Sequence, residues 1–199
     1  AELAFANCEN LQEIVLPNSI TTIGQGAFNS CRSLQSVTLP AGITKIPHNM
    51  FSECSNLRSL VIPEGVTEIE YDAFVRCYKL ASVSLPSTLT KIGGSAFYNS
   101  GIESITIPEG VTTLYGSTFY NCDSLTTVKL PASLARITKR YNDENNDAGY
   151  LPFANCDRIE VFDVSKAQLS EIPDDAFGWL KIRTLDLSAA TVTAIPSGM

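Results

Sequence analysis

The chain has 199 residues, 44% of them hydrophobic, with a net charge of −7 and a sequence pI near 4.7. Nucleic acids and anionic bilayers attract basic surfaces, so neither is an expected partner. No apolar run approaches the ~18 residues of a membrane span, so no bilayer insertion is expected, and no secretory leader is visible at Ala1.

From its first residues the chain repeats itself. A phenylalanine recurs at Phe5, Phe28, Phe51, Phe74, Phe97, Phe119, Phe153 and Phe177, at spacings of 23, 23, 23, 23, 22, 34 and 24. Residues 29–51 and 52–74 align slot for slot. A fixed period in the twenties marks a solenoid, in which one unit buries its apolar faces against the next. The pattern runs without a linker, so residues 1–199 are expected to form one elongated body. Ala4-Phe5 opens inside a repeat, and Met199 stops one residue short of the next Phe slot. With no evident caps, the chain reads as a fragment of a longer protein.

Within each unit, Leu34, Val37 and Leu39 illustrate a short strand with an inward apolar set, and Pro40 ends it because proline lacks the N–H a ladder requires. The equivalent prolines are Pro17, Pro63, Pro86, Pro108 and Pro131. A second apolar pair three residues apart follows (Ile43/Ile46, Val66/Ile69). The Ala-Phe-x-x-Cys segment then reads as one helical turn on the outer side. Lys45, Glu68 and Lys91 share one slot and suggest a ladder of solvated ion pairs.

Two places break the frame. Around Gly101 the unit is one residue short, and Ser100 replaces the cysteine. Residues 138–152 add about eleven residues between Ile137 and Phe153. Insertions of this kind go to loops on one face, often the binding face. Beyond it Ser165 and Ser188 occupy the proline slot.

The combination L-x-x-V-x-L-P-x-x-V-T-x-I-x-x-x-A-F-x-x-C resembles the BspA-like class of bacterial leucine-rich repeats. The resemblance covers all but the insertion. It implies an α/β, β-rich leucine-rich-repeat solenoid of about eight 23-residue repeats, curved, with a parallel sheet on the concave side. It also implies a cell-surface or secreted protein that works by adhesion or protein recognition, with host extracellular matrix among the partners.

The residues themselves point away from catalysis. His48, the sole histidine, falls in a turn slot and reads as an exposed loop residue. No nucleophile or phosphate-binding motif accompanies it, so no enzyme and no cofactor are expected. Cys8, Cys31, Cys54, Cys77, Cys122 and Cys156 fill one slot. Buried reduced thiols are the favoured reading, with disulfides between neighbouring turns as the alternative. Metal is disfavoured, because zinc sites need closely spaced ligands. In the insertion, Asp143, Asn145 and Asp147 alternate like the first ligands of a calcium loop. The glycine comes late, at Gly149, and Ala154 stands where a glutamate belongs. A mobile polar loop is favoured over calcium, with Tyr141 and Tyr150 as a possible contact surface.

The remaining candidate is the outer face of the sheet. One outward column is Val15, Thr38, Val61, Ser84, Thr106, Lys129, Asp163 and Asp186. The adjacent one is Glu13, Ser36, Ser59, Ser82, Ser104, Thr127, Val161 and Thr184. The expected function is a non-enzymatic module that binds a protein along this face, helped by Tyr141 and Tyr150. A structural spacer that displays another domain and binds nothing is the alternative, favoured by the small Ser/Thr side chains.

Overall fold

The computed structural model describes residues 1–140, 142, 149–178, 180–195 and 197–198. The chain winds as a parallel β-solenoid. Along it run β1 (Glu13–Val15), β2 (Ser36–Thr38), β3 (Lys45–Ile46), β4 (Ser59–Val61), β5 (Glu68–Ile69) and β6 (Ser82–Ser84). There follow β7 (Lys91–Ile92), β8 (Ser104–Thr106), β9 (Thr113–Leu114), β10 (Thr127–Lys129), β11 (Arg136–Ile137) and β12 (Val161–Asp163).

The three-residue strands stack on one side, and in each the middle residue faces inward while its neighbours face solvent. Their register is strict: Ile14 pairs with Val37, Leu60 with Val83, and Ile105 with Val128 and then Phe162. The two-residue strands form a second parallel column, with Ile46, Ile69 and Ile92 in line. Sequence patterning marks these positions only as an apolar pair. Five turns, β2/β3 to β10/β11, carry both strands, and β1 and β12 extend the first column at either end. The expectation of about eight equivalent repeats is therefore corrected to five complete turns with partial ones flanking them. Ile182, Leu185 and Leu187 keep the strand pattern, yet no strand follows β12 among the described residues.

The Ala-Phe-x-x-Cys segment is not helical; no helix occurs among the described residues. Two features exclude it. The N–H groups of Gly26, Phe28 and Ser30 bond to the carbonyls of His48, Met50 and Ser52 in the next turn. A helix would need those donors for its own ladder. From Phe5 to Phe119 the residues two before and two after each Phe also take left-handed backbone: φ is +59° at Gly26 and Ser30, and 56° and 61° at Asn49 and Glu53. For a residue with a side chain this costs about 1–2 kcal/mol, offset by the inter-turn bonds on either side.

The core is a spine of phenylalanines. Phe28, Phe51, Phe74, Phe97 and Phe119 are fully enclosed. From Phe5 to Phe153 successive rings are stacked with centroids 5.0–5.5 Å apart and planes within 11°. The insertion leaves the spine intact, since Phe119 stacks on Phe153 at 5.2 Å. The stack then ends. Phe153 meets Phe162 edge-on, and Phe162 meets Phe177 at 64°.

Beside the spine runs a line of thiols. All six cysteines are free, five of them buried and Cys8 half-buried. Each buried thiol donates to the carbonyl of the Phe one turn back, at 3.0–3.1 Å: Cys31 to Phe5, Cys54 to Phe28, Cys77 to Phe51, Cys122 to Phe97 and Cys156 to Phe119. Burial pushes the Cys31, Cys54 and Cys77 thiols up from their ordinary value, which suppresses the reactive thiolate. In the native protein a maleimide should label Cys8 alone, with the other five reacting only on unfolding. Mass spectrometry of labelled peptides reads this out, and native labelling at Cys54 or Cys77 would contradict the buried ladder.

The ion pairs differ in part from the expected ladder. Lys91 does pair with Glu68, at 3.2 Å, but Lys45 turns to Glu70 at 2.5 Å. Glu70 also accepts the His48 N–H at 2.8 Å. Burial pushes the Glu70 carboxyl up, but the bonds from Lys45 and His48 outweigh it and hold it below the usual range. A depressed carboxylate contributes stability above its unfolded pKa of about 4.3, and that contribution is lost as pH falls through the folded value. Acid unfolding should therefore begin below about pH 4.3, with a shallower slope in Glu70→Gln. Equal slopes in the two proteins would remove Glu70 from the account.

His48 is also better held than a loose loop residue. It is half-buried. Nδ1 lies 3.0 Å from the Tyr71 carbonyl, Nε2 lies 2.8 Å from the Asn49 amide nitrogen, and the ring packs on Tyr71 at 3.9 Å. The Tyr71 carbonyl can only accept, so Nδ1 is the donor in that contact.

Candidate functional site

The first strand column positions the predicted binding residues. Alternation along a strand puts the two ends of each three-residue segment on the outer face. Thr38, Val61, Ser84, Thr106, Lys129, Asp163 and Asp186 are all exposed. Register brings Thr106, Lys129 and Asp163 side by side, and likewise Val61 and Ser84, while Thr38 pairs with Val15. The ladder is looser between β2 and β4 and between β6 and β8. There single backbone bonds, Arg58 N–H to Gln35 O and Glu103 N–H to Ala81 O, hold adjoining turns. Val15 and Val61 are 67% and 72% exposed, so neither contributes to the core and both are available for contact.

At the far end of the column the proline stop is replaced by a side-chain stop. Asp163 Oδ1 accepts both the hydroxyl and the N–H of Ser165, at 2.7 and 3.1 Å. Asp186 Oδ1 accepts the Ser188 N–H at 2.9 Å. Bonds from the serines hold both carboxyls below the ordinary aspartate value. An Asp two residues before Ser is the sequence signal, an Asx-type turn in place of proline.

Tyr150 lies on the turn side, away from the strand face. Its N–H donates to Ser117 Oγ and its carbonyl accepts the Ser117 N–H. Its ring lies 4.4 Å from Tyr120, which stacks on Tyr98 at 5.0 Å. This three-tyrosine stack escapes a sequence reading, because Tyr150 belongs to the insertion while the other two follow the Phe slot. Of the remaining outer-turn tyrosines, Tyr115 is buried and Tyr78 borders a hollow where Glu53 bridges Arg32 and Arg76 at 3.2 and 2.9 Å. Tyr141 and the calcium-like Asp143, Asn145 and Asp147 lie outside the described residues. Among the described residues no cluster of His, Cys, Asp or Glu could hold a metal ion, and no helix is long and apolar enough to cross a membrane.

Between β12 and the segment 181–186 there is an opening of about 760 Å³ on the strand side. It is lined by Glu160 to Ser165 on one wall and by Lys181, Arg183, Thr184 and Asp186 on the other.

Stacked parallel strands with leucine-like residues turned inward define a leucine-rich-repeat solenoid. The family model for the BspA type leucine rich repeat region matches residues 1–100 and 44–146, and the chain belongs to that family. The chain resembles the crystal structure of a leucine rich repeat protein from T. pallidum, with 34% identity over 64% of this chain and 60% of that one, and a TM-score of 0.62. A leucine-rich repeat protein from Bacteroides ovatus is 24% identical over 91% of this chain and 56% of its own, with a TM-score of 0.54. A leucine rich cell surface protein from Faecalibacterium prausnitzii is 23% identical over 98% and 66%, with a TM-score of 0.56. The chain thus spans between about half and two thirds of these relatives. No curated protein sequence matches it.

Proposed function

We propose that residues 1–199 act as a single non-enzymatic recognition module of a bacterial cell-surface or secreted protein, binding a protein partner along the exposed strand face. The contact residues are Thr38, Val61, Ser84, Thr106, Lys129, Asp163 and Asp186, with Tyr141 and Tyr150 of the 138–152 insertion as a second contact. The supporting observation is the outward column, in register at Val61/Ser84 and at Thr106/Lys129/Asp163, which holds neighbouring side chains about 4.8 Å apart and includes valines whose exposure serves no packing purpose. Regularly spaced side chains of small size suit many weak contacts with an extended partner. Host matrix proteins are the partner class proposed. The F. prausnitzii relative is itself described as a cell surface protein.

Surface binding to immobilised fibronectin, fibrinogen and collagen tests this reading. Saturable binding should fall at least tenfold in the triple variant Thr106→Glu, Lys129→Glu, Asp163→Lys, with unchanged thermal unfolding. Binding that the triple variant leaves intact would remove the strand face from the mechanism. No binding to any of the three would return the chain to the spacer role.

A further inference from the structure

The opening beside β12 has a shape and a charge pattern that the rest of the solenoid lacks. Every earlier turn donates at least one backbone bond to its predecessor on the strand side: Gln35 N–H to Gln12 O, Ala81 N–H to Arg58 O, Thr126 N–H to Glu103 O, Glu160 N–H to Thr126 O. Among the described residues the corresponding bond, Arg183 N–H to Glu160 O, does not form, and β12 pairs with β10 and no other strand. On the other sides the last turn is attached. Thr191 N–H donates to Leu169 O at 2.7 Å, Asp175 N–H donates to Ser197 O at 2.9 Å, and Lys181 Nζ lies 3.6 Å from Asp157. The result is a wedge, fastened elsewhere and open along the strand edge.

The sequence supplies a reason for the wedge. If the last turn closed on β12 in the register of all the others, Asp186 would become the direct partner of Asp163. Like charges directly opposite one another in a sheet are destabilising. On the closed side of β12 the partner of Asp163 is Lys129. Phe162 and Val164 border the opening but are themselves buried, and Ile182, Leu185 and Leu187 of the last turn pack on the core there; at the edge of β12, the Val164 N–H makes no bond to Asp186 O of the kind that joins the earlier turns. Glu160 and Arg183, three residues before Asp163 and Asp186 on the two walls, are of opposite sign.

We propose that this wedge is a docking slot for one extended segment of a protein partner, paired parallel to β12 with a Lys or Arg facing outward between Asp163 and Asp186. The segment supplies the missing strand and converts the facing carboxylates into two attractive contacts. Edge pairing of this kind draws affinity from main-chain bonds and specificity from alternate side chains. It goes beyond the recognition reading above, since main-chain pairing at an edge does not require the strand face to bind anything.

The probe is a fluorescent peptide copying residues 124–133, whose Thr-Val-Lys core carries the required alternation and sits next to Asp163 in the native ladder. Anisotropy titration with the 199-residue protein should show saturable binding. Affinity should fall at least tenfold when the peptide lysine becomes glutamate, and Asp186→Lys, which replaces the like-charge pair by an attractive one, should let the last turn close on β12 and abolish binding of both peptides. Asp186 is exposed, so this variant is expected to fold. A peptide N-methylated at alternate amides should not bind; equal binding would mean side-chain contact with the face and would overturn edge insertion. Amide exchange gives a second measurement: Val164 and Arg183 should exchange faster than Leu130 and Thr126 in the free protein and slow with peptide. Protection of Val164 and Arg183 before any peptide is added would show that the chain's own last turn fills the slot, and would sink the proposal. So would matrix binding that persists while the peptide fails to bind.

Discussion

Replacing Phe74 by alanine is expected to lower the unfolding free energy by about 3–5 kcal/mol. The ring is fully enclosed and lies between Phe51, at 5.5 Å and 11°, and Phe97, at 5.0 Å and 4°. Truncation would open a cavity in the middle of the spine and remove two stacking contacts, each worth about 0.5–1.5 kcal/mol beyond area burial. A solenoid cannot spread such a loss, because each turn touches only its neighbours. Urea unfolding measures the effect, with Phe74→Leu as a milder comparison. Phe177→Ala should cost less, because among the described residues its ring contact is the edge-on Phe162 at 5.7 Å, with no stacked neighbour. Equal losses at the two sites would mean that stacking contributes little to cohesion.

Gly101→Ala is the second large effect. A Cβ built there would lie 2.2 Å from the Tyr78 carbonyl oxygen and 2.9 Å from its carbon. Both are backbone atoms, so no side chain can swing aside. Gly101 also donates its N–H to Cys77 O at 3.1 Å, which draws the two turns together at the place where the unit is one residue short. Relieving the clash means separating the turns, at a cost of about 1–3 kcal/mol or more. Gly42→Ala is the control: its Cβ would meet nothing nearer than 3.4 Å, and the change should stay within about 0.5 kcal/mol. A Gly101→Ala protein as stable as Gly42→Ala would refute the close approach.

The first strand column was legible because its alternation runs over three residues and is stopped by proline. So were its outward residues, since the inward Val or Ile fixes which neighbours face solvent. The second column was not, because a strand of two residues, such as Lys45-Ile46, is too short to show a period. The outer segment misled for a different reason. Left-handed backbone usually announces itself with glycine or asparagine, but here Glu53, Asp72 and Arg76 adopt it. The inter-turn ladder dictates their conformation, and that ladder joins residues 21 or more apart. The last turn shows the converse. Ile182, Leu185 and Leu187 match the strand pattern well, yet a pattern of inward residues says nothing about the two aspartates that pairing would set side by side on the outside.

The charge slot carries a similar lesson. Lys45, Glu68 and Lys91 occupy one slot, but Lys45 reaches diagonally to Glu70, which the His48 N–H already orients. Long side chains choose among several partners at similar distance, and the choice depends on what else each partner holds.

The unbroken line of rings has a consequence for how such a chain can change length. From Phe5 to Phe97 each ring meets its counterpart one turn away, and the thiols of Cys31, Cys54 and Cys77 each meet the preceding turn's Phe carbonyl, so a spliced-in copy of 23 residues in that stretch would find the same neighbours above and below as the original. Duplication or loss of a whole unit then alters reach by about 4.8 Å without creating a new junction. A gene encoding this protein can adjust the molecule like a ruler, one graduation at a time, while point substitutions on the outward column rewrite the markings independently.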